Sequence, residues 1–398
     1  MKAKALAAIL LALCSVWALG RRADAQAPPQ AAVQLVRHRR QADVYQVTFP
    51  SPVQNAVPPN PTVYVEYWVP RAAGPMPAVI LLHHWGVVRP IVERELAAVL
   101  AENGVITAML TLPYHLQRTP PRLESGEAFI STDVARIVRS VEQTVLEVGS
   151  LLDWLRSRPE VDSRRIGLAG VSLGAIIGAL ALGEIDQFAA TVLILGGGNV
   201  ADIFWRSPIT LKIRPGLRRL GYTEERLRAA LASVEPLSHL SPALGRRVLM
   251  INAIHDPVIP RRDALALWDA LGRPPIIWVE SGHFILRPGR TVVDRLAADF
   301  FLYQFGERAS FNPPAVVRLR RVKLGVLLDR APLVGIGGAA ELLRPPSGRV
   351  SLDLNLTTGG ASIGGAINVS TYLAIGLQRK LFSSERRLLP YAMVYFTL

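Results

Sequence analysis

Cysteine is nearly absent from this 398-residue chain, occurring only as Cys14. Everything downstream of it is free of thiols, which excludes disulfide bridges, thiol nucleophiles and cysteine-ligated metal there. Charge is also sparse. Asp, Glu, Lys and Arg make up 19% of the residues against 50% hydrophobic ones, so a sizeable core can be buried. The formal charge of +14 is carried almost wholly by arginine, but no basic block or basic–aromatic interleaving gathers it. Nucleic-acid binding is not expected from that distribution, and a weak attraction to anionic surfaces is the most it implies. Long apolar runs are missing as well: Ala5–Leu19 is short of the ~20 residues a membrane span needs.

What is present begins with that run. Lys2 and Lys4 precede it, and Ala23-Asp24-Ala25 follows with small residues at the two positions a signal peptidase reads. Residues 1–25 are therefore expected to be a secretory signal cleaved after Ala25, with an uncleaved anchor as the alternative. Leu13 before Cys14 argues against lipidation. Export without downstream cysteine suits a periplasmic, secreted or envelope-associated protein whose core folds unaided.

Residues 44–49 and 62–69 alternate apolar and polar, as strands do, and "AVILLHH" (78–84) is a continuous apolar run. Such a run suits a strand buried on both faces of a parallel sheet. Helical patterns at 92–102, 131–157 (Ser131 or Thr132 as N-cap), 261–271 and 291–305 alternate with the strands "VITAML", "RIGLAGV", "ATVLILGGG", "RVLMINAI" and "PIIWVE". That order predicts an α/β domain with a mostly parallel sheet and helices on both faces. An insertion over about 200–245 interrupts it and reads either as a lid over a ligand crevice or as a passive excursion. Beyond Pro313-Pro314 the texture becomes glycine-rich and alternating, which predicts four or five strands without helices. The domains expected are thus 26–308 and a β-rich region 309–398. "GIGGAA" at 335–340 fits a nucleotide-binding pattern, but no βαβ unit follows it and nucleotide binding is not expected.

One pentapeptide carries chemistry. "GVSLG" puts Ser172 between Gly170 and Gly174, at the junction of the apolar strand "RIGLAGV" and the small-residue helix "LGAIIGALALG". There G-x-S-x-G forms a turn so sharp that the serine hydroxyl stands above the sheet, and a side chain in place of either glycine would clash. A serine needs a base, and the base needs an orienting carboxylate. Asp256 follows "RVLMINAI" in "HDPVIP", and His283 follows "PIIWVE" in "SGHF". The order Ser, Asp, His, each after a later strand, is the one this topology requires. Asp202 is the reserve acid, and His283 is the only histidine after Asp256.

On these residues the chain, over roughly 44–306, resembles the α/β-hydrolase superfamily, nearest to its serine esterase and dienelactone-hydrolase-like members. The resemblance implies the α/β-hydrolase fold, with a cap insertion and the β-rich C-terminal region added to it. It assigns the acid to the D-x-x-V-x-P stretch and the base to G-H-F. It also implies an oxyanion hole from the Leu173 N–H and from the loop that commonly reads H-G-x-G, here His83-His84-Trp85-Gly86, with Trp85 as second donor. His84 stands where that family has glycine. Metal ligation by His83 and His84 is not expected, because neighbours on a strand point to opposite faces. Trp205 either lines an acyl pocket or packs.

The expected function is a serine hydrolase of small carboxylic esters or related acyl compounds, without cofactor; peptidase and lactonase activity use the same machinery. The alternative is an envelope-associated binding protein that uses residues 313–398 for membrane or protein contact, with the hydrolase domain as scaffold.

Overall fold

The computed structural model describes residues 28–53, 60–284, 289–317, 322–329, 334–343, 350–358, 360–369, 373–381 and 388–397. The expected signal segment, Cys14 included, lies outside them. The first ten strands are β1 (Ala32–His38), β2 (Ala42–Pro50), β3 (Thr62–Pro70), β4 (Met76–Leu82), β5 (Ile106–Leu110), β6 (Val161–Val171), β7 (Ala190–Ile194), β8 (Val248–Ala253), β9 (Ile276–Val279) and β10 (Val316–Val317). They form one sheet in the order β1-β2-β3-β5-β4-β6-β7-β8-β9-β10. From β5 to β10 every pairing is parallel. The hairpin strands β1, β2 and β3 pair antiparallel, and β3 joins β5 antiparallel.

The helices are α1 (Ile91–Glu102), α2 (Val134–Arg156), α3 (Leu173–Ile185), α4 (Val200–Arg206), α5 (Arg214–Arg219), α6 (Glu224–Ala230), α7 (Arg261–Ala270) and α8 (Gly289–Gln304). Strand β4 shows why its sequence has no alternation. All seven of its residues are buried, with Ala78, Ile80 and Leu82 in the core under α2 and α3, and Val79 and Leu81 in the core under α1 and α8. Helix α2 starts later than the periodicity suggested: neither Ser131 nor Thr132 caps it. Asp133 does, because its carboxylate accepts the Arg136 N–H at 3.0 Å.

Two expectations about the C-terminal part need correction. The boundary at 308 leaves Val316–Val317 out of the α/β sheet, yet they join it as β10 beside β9. The region beyond holds six strands rather than four or five: β11 (Val322–Asp329), β12 (Val334–Leu343), β13 (Val350–Thr357), β14 (Gly360–Asn368), β15 (Leu373–Lys380) and β16 (Leu389–Thr397). They pair antiparallel in sequence order, and β16 returns to β11, so the barrel is closed. "GIGGAA" lies within β12, between β11 and β13.

One buried ion pair fixes the segment that passes the crevice. Arg118 and Glu147 of α2 are fully buried and bonded bidentately at 2.7 and 2.8 Å. Arg118 also donates to the carbonyls of Thr111 and Asn60, at 2.9 Å each. Removing one partner leaves a buried charge unmatched. Glu147→Ala is expected to lower unfolding stability by about 3–5 kcal/mol, read as a shift of the urea midpoint.

Candidate active site

Ser172 occupies the single residue between β6 and α3, at φ 54° and ψ −113°. Non-glycine residues rarely hold such angles, and the strain costs about 1–3 kcal/mol. The flanking structure imposes it. The Ser172 N–H donates to the Ile194 carbonyl at the end of β7 (2.8 Å), and its own carbonyl accepts from Ala175 and Ile176 in the first turn of α3. Both glycines are needed for contact: a Cβ on Gly170 would lie 2.1 Å from the Gly174 oxygen, and one on Gly174 would lie 2.3 Å from the Leu82 oxygen of β4.

Three loops bring the remaining groups to this turn. The Ser172 hydroxyl is 2.9 Å from His283 Nε2. His283 Nδ1 is 2.8 Å from the Asp256 carboxylate. A carboxylate only accepts, so the Nδ1–H donates to Asp256, which leaves Nε2 to accept the hydroxyl proton. Asp256 is oriented in turn by the N–H groups of Val258 and Ile259, both at 2.8 Å from its other oxygen. The loops that carry Asp256 and His283 are tied together by the His255 N–H on the Ser281 carbonyl (3.1 Å). Ser172 and His283 are buried, at 7% and 6% exposure. Asp202 stands elsewhere, bonded to Arg206 and Arg262. Burial raises its pKa, but those two arginines prevail and hold it below the usual carboxylate value.

Leu173 opens α3, and the first N–H groups of a helix have no intrahelical acceptor. Trp85, Ser172 and Leu173 line one cavity together. The loop that carries Trp85 departs from the glycine pattern in a defined way. His84 turns its ring to Glu93 of α1 (2.7 Å), and its N–H donates to the same oxygen at 3.2 Å. Glu93 is fully buried; burial raises its pKa, but the hydrogen bond and charge of His84 outweigh this and keep it lowered. His83 points inward. Its Nε2 accepts the Leu112 N–H at 3.0 Å and its Nδ1 meets the His84 carbonyl at 2.8 Å. Burial lowers its pKa to about 4, so the ring is neutral. The two rings therefore face different partners.

Sequence patterns missed the brace behind this loop. The Trp85 indole donates to the Gly126 carbonyl at 2.8 Å. Gly126 has φ 82°, and a Cβ there would lie 2.5 Å from the His115 ring. The His115 ring packs edge-on against His83, with centroids 4.9 Å apart. A lone glycine 40 residues from the motif gives no local signal of such a role.

The cavity beside Ser172 measures about 80 Å³ and is almost wholly apolar, walled by Phe129, Ile137, Val141 and Ile177 and by insertion residues such as Ile203, Phe204 and Leu231. The 200–245 insertion thus covers the crevice. Trp205 is not on that wall; it packs against the core, with Arg218 over its ring at 5.6 Å. A second cavity of about 1320 Å³ meets the first at Trp85, Ile130 and Ile209. Charged groups line it, among them Glu66, Arg89, Arg94, Arg122, Glu124 and Lys212.

Comparison with known proteins agrees with this architecture. The family model described as "Alpha/beta hydrolase domain containing 18" matches residues 14–214, a range that includes Trp85 and Ser172 and ends before Asp256 and His283. "Uncharacterized protein Rv2627c" of Mycobacterium tuberculosis (strain ATCC 25618 / H37Rv) is 32% identical over 201 residues, 48% of this chain and 46% of that protein. The chain therefore spans about half the length of the curated relatives it matches. Among solved structures, the acetyl xylan esterase of Paenibacillus sp. R4 is similar at a TM-score of 0.53 and 20% identity, over 67% of this chain and 88% of that one. Acetyl xylan esterase 1 of Thermoanaerobacterium sp. JW/SL YS485 gives 0.52 and 17%, over 70% and 88%. At such identities the likeness is one of fold.

The elbow is open to a direct test. In Gly174→Ala the new methyl meets strand backbone that has no room to yield, and overpacking of this kind costs about 1–3 kcal/mol. A lower thermal midpoint together with slower labelling by a fluorophosphonate is the expected outcome.

Proposed function

From the premise that this chain belongs to the alpha/beta hydrolase domain containing 18 family, we propose that it is an exported serine hydrolase of carboxylic esters with short acyl groups. The observation that carries the reading is the hydrogen-bonded series Ser172–His283–Asp256 at the head of an apolar cavity. In this reading Ser172 Oγ attacks the ester carbonyl while His283 Nε2 takes its proton, and Asp256 stabilises the imidazolium. The N–H groups of Leu173 and Trp85 receive the developing oxyanion. Collapse breaks the ester C–O bond, and the leaving alcohol takes the proton from His283. Water then gives a proton to His283 and attacks the acyl-enzyme, which releases the carboxylic acid and restores Ser172.

The two cavities divide the substrate. The apolar one, about 80 Å³, is smaller than the ~150 Å³ that admits benzene, so it suits an acyl group of a few carbons. The wider, charged cavity takes the alcohol portion, whose polarity it matches. Peptidase and lactonase substrates would use the same groups, but a bulky acyl side chain does not suit the smaller cavity. Export rests on residues 1–25 and on the lack of cysteine beyond Cys14, and it places the enzyme in the periplasm, at the envelope or outside the cell.

A fluorophosphonate probe should label the folded protein but not Ser172→Ala; absence of labelling in folded wild type would remove the reading. Asp256→Asn is expected to lower kcat about 10⁴-fold, as loss of the orienting carboxylate does elsewhere. On p-nitrophenyl esters of graded length, activity should peak at two to about four acyl carbons, the size range of the smaller cavity. Phe204→Ala, which takes out one wall, should move that peak to longer chains.

A further inference from the structure

The C-terminal barrel has its polarity inverted relative to a water-soluble one. Its interior holds Lys323, fully buried, with Asp353 at 2.7 Å and Glu341 at 3.3 Å, both buried as well. Asn355, Ser362 and Gln378 continue this inner network, with Asn355 within 3.3 Å of both partners. Every strand also carries an exposed aliphatic side chain on its outer face, with Arg379 exposed near the end of β15. Leu328 of β11, Ile336 of β12, Leu356 of β13, Ile367 of β14, Leu377 of β15 and Val394 of β16 are 46% to 66% exposed. Along β13 the faces alternate: Ser351, Asp353 and Asn355 are buried, Val350, Leu352 and Leu356 are exposed, and Leu354 is half-buried. These exposures hold in the full chain, so nothing among the described residues covers that surface.

We propose that this barrel sits in the hydrocarbon of a lipid bilayer, as a membrane anchor for the catalytic domain. Apolar-out, polar-in alternation is the pattern of transmembrane barrels. The aliphatic side chains stand on all six strands, around the whole circumference. One docked protein covers one side of a cylinder, whereas a surrounding medium covers all of it. The dimensions agree. Strands of eight to ten residues rise ~3.3 Å per residue, and a tilt of ~40° leaves a height of roughly 20–25 Å, against ~25 Å for the apolar band of such barrels. Six strands enclose a narrower lumen than the eight usual in the smallest members. Small residues accommodate this: Ala339, Gly364, Ala366 and Ala374 are buried on the inner face. The Lys323–Asp353 pair and the side chains of Leu327, Tyr391, Met393 and Tyr395 fill the interior.

The test uses the full chain, refolded from urea in the presence of zwitterionic dilauroylphosphatidylcholine vesicles, floated on a density gradient and washed in 1 M salt. Zwitterionic lipid and high salt, where charges are screened beyond ~3 Å, remove adsorption through the basic surface. Wild type should float and resist the wash. Leu352→Lys/Leu356→Lys should reduce the floated fraction at least tenfold, because a cation on the lipid face is disfavoured. Leu146→Lys, an exposed leucine of α2, should change nothing. Circular dichroism melting of each protein establishes folding independently of any hydrolase activity. Folded wild type that stays off the vesicles overturns the proposal, as does flotation that the double lysine variant leaves intact. Discrete oligomers without lipid, in place of flotation, would assign the aliphatic face to self-association and also overturn it.

Discussion

The geometry of the site depends on one constraint at Ser172. Strand β6 is held on both sides, by β4 and β7, and the chain must pass from it into α3 within one residue. The serine takes a positive φ because backbone leaves no other path. That path is open only while positions 170 and 174 lack a Cβ, since each would meet main-chain atoms. The hydroxyl is thereby lifted toward His283, and the Leu173 N–H is left at the start of a helix. In the proposed mechanism, nucleophile and first oxyanion donor are two consequences of one turn.

The opposite wall is built from parts that look unrelated in the chain. Trp85 reaches its place because Gly126 has room for the indole's hydrogen bond, and the 111–130 segment is braced by the buried Arg118–Glu147 pair. His84 serves where a glycine is usual because its ring and its N–H both turn to a buried glutamate. An unpaired carboxylate at that depth would be costly. The insertion closes the remaining side with apolar residues, so the crevice is walled by five stretches far apart in sequence, around Trp85, 129–141, 172–177, 200–234 and 258–259.

The two parts of the chain obey opposite burial rules. In the α/β sheet the central strands are buried on both faces and carry no alternation. In the barrel the alternation puts Lys323, Glu341 and Asp353 inside, beside a cluster of Leu327, Tyr391, Met393 and Tyr395, and aliphatic side chains outside. In the first part aliphatic residues fill the core, whereas in the second they stand both inside, around Met393 and Leu327, and on the outer surface.

The α/β layering and the sharp turn at Ser172 were legible from residue order alone, because strand runs, small-residue helices and G-x-S-x-G are local patterns with local physical causes. The order Ser172, Asp256, His283 was equally legible, since the topology admits one succession of loops. Asp256 was the first choice from residue order, with Asp202 in reserve; only packing shows that Asp202 is taken by Arg206 and Arg262. The role of Gly126, the ring of His84 on Glu93 and the closure of β16 on β11 were likewise decided by contacts between distant segments. Alternation along a strand states which residues share a face, but not which face is inside. That sign is set when the sheet closes, and here closure put the charges within.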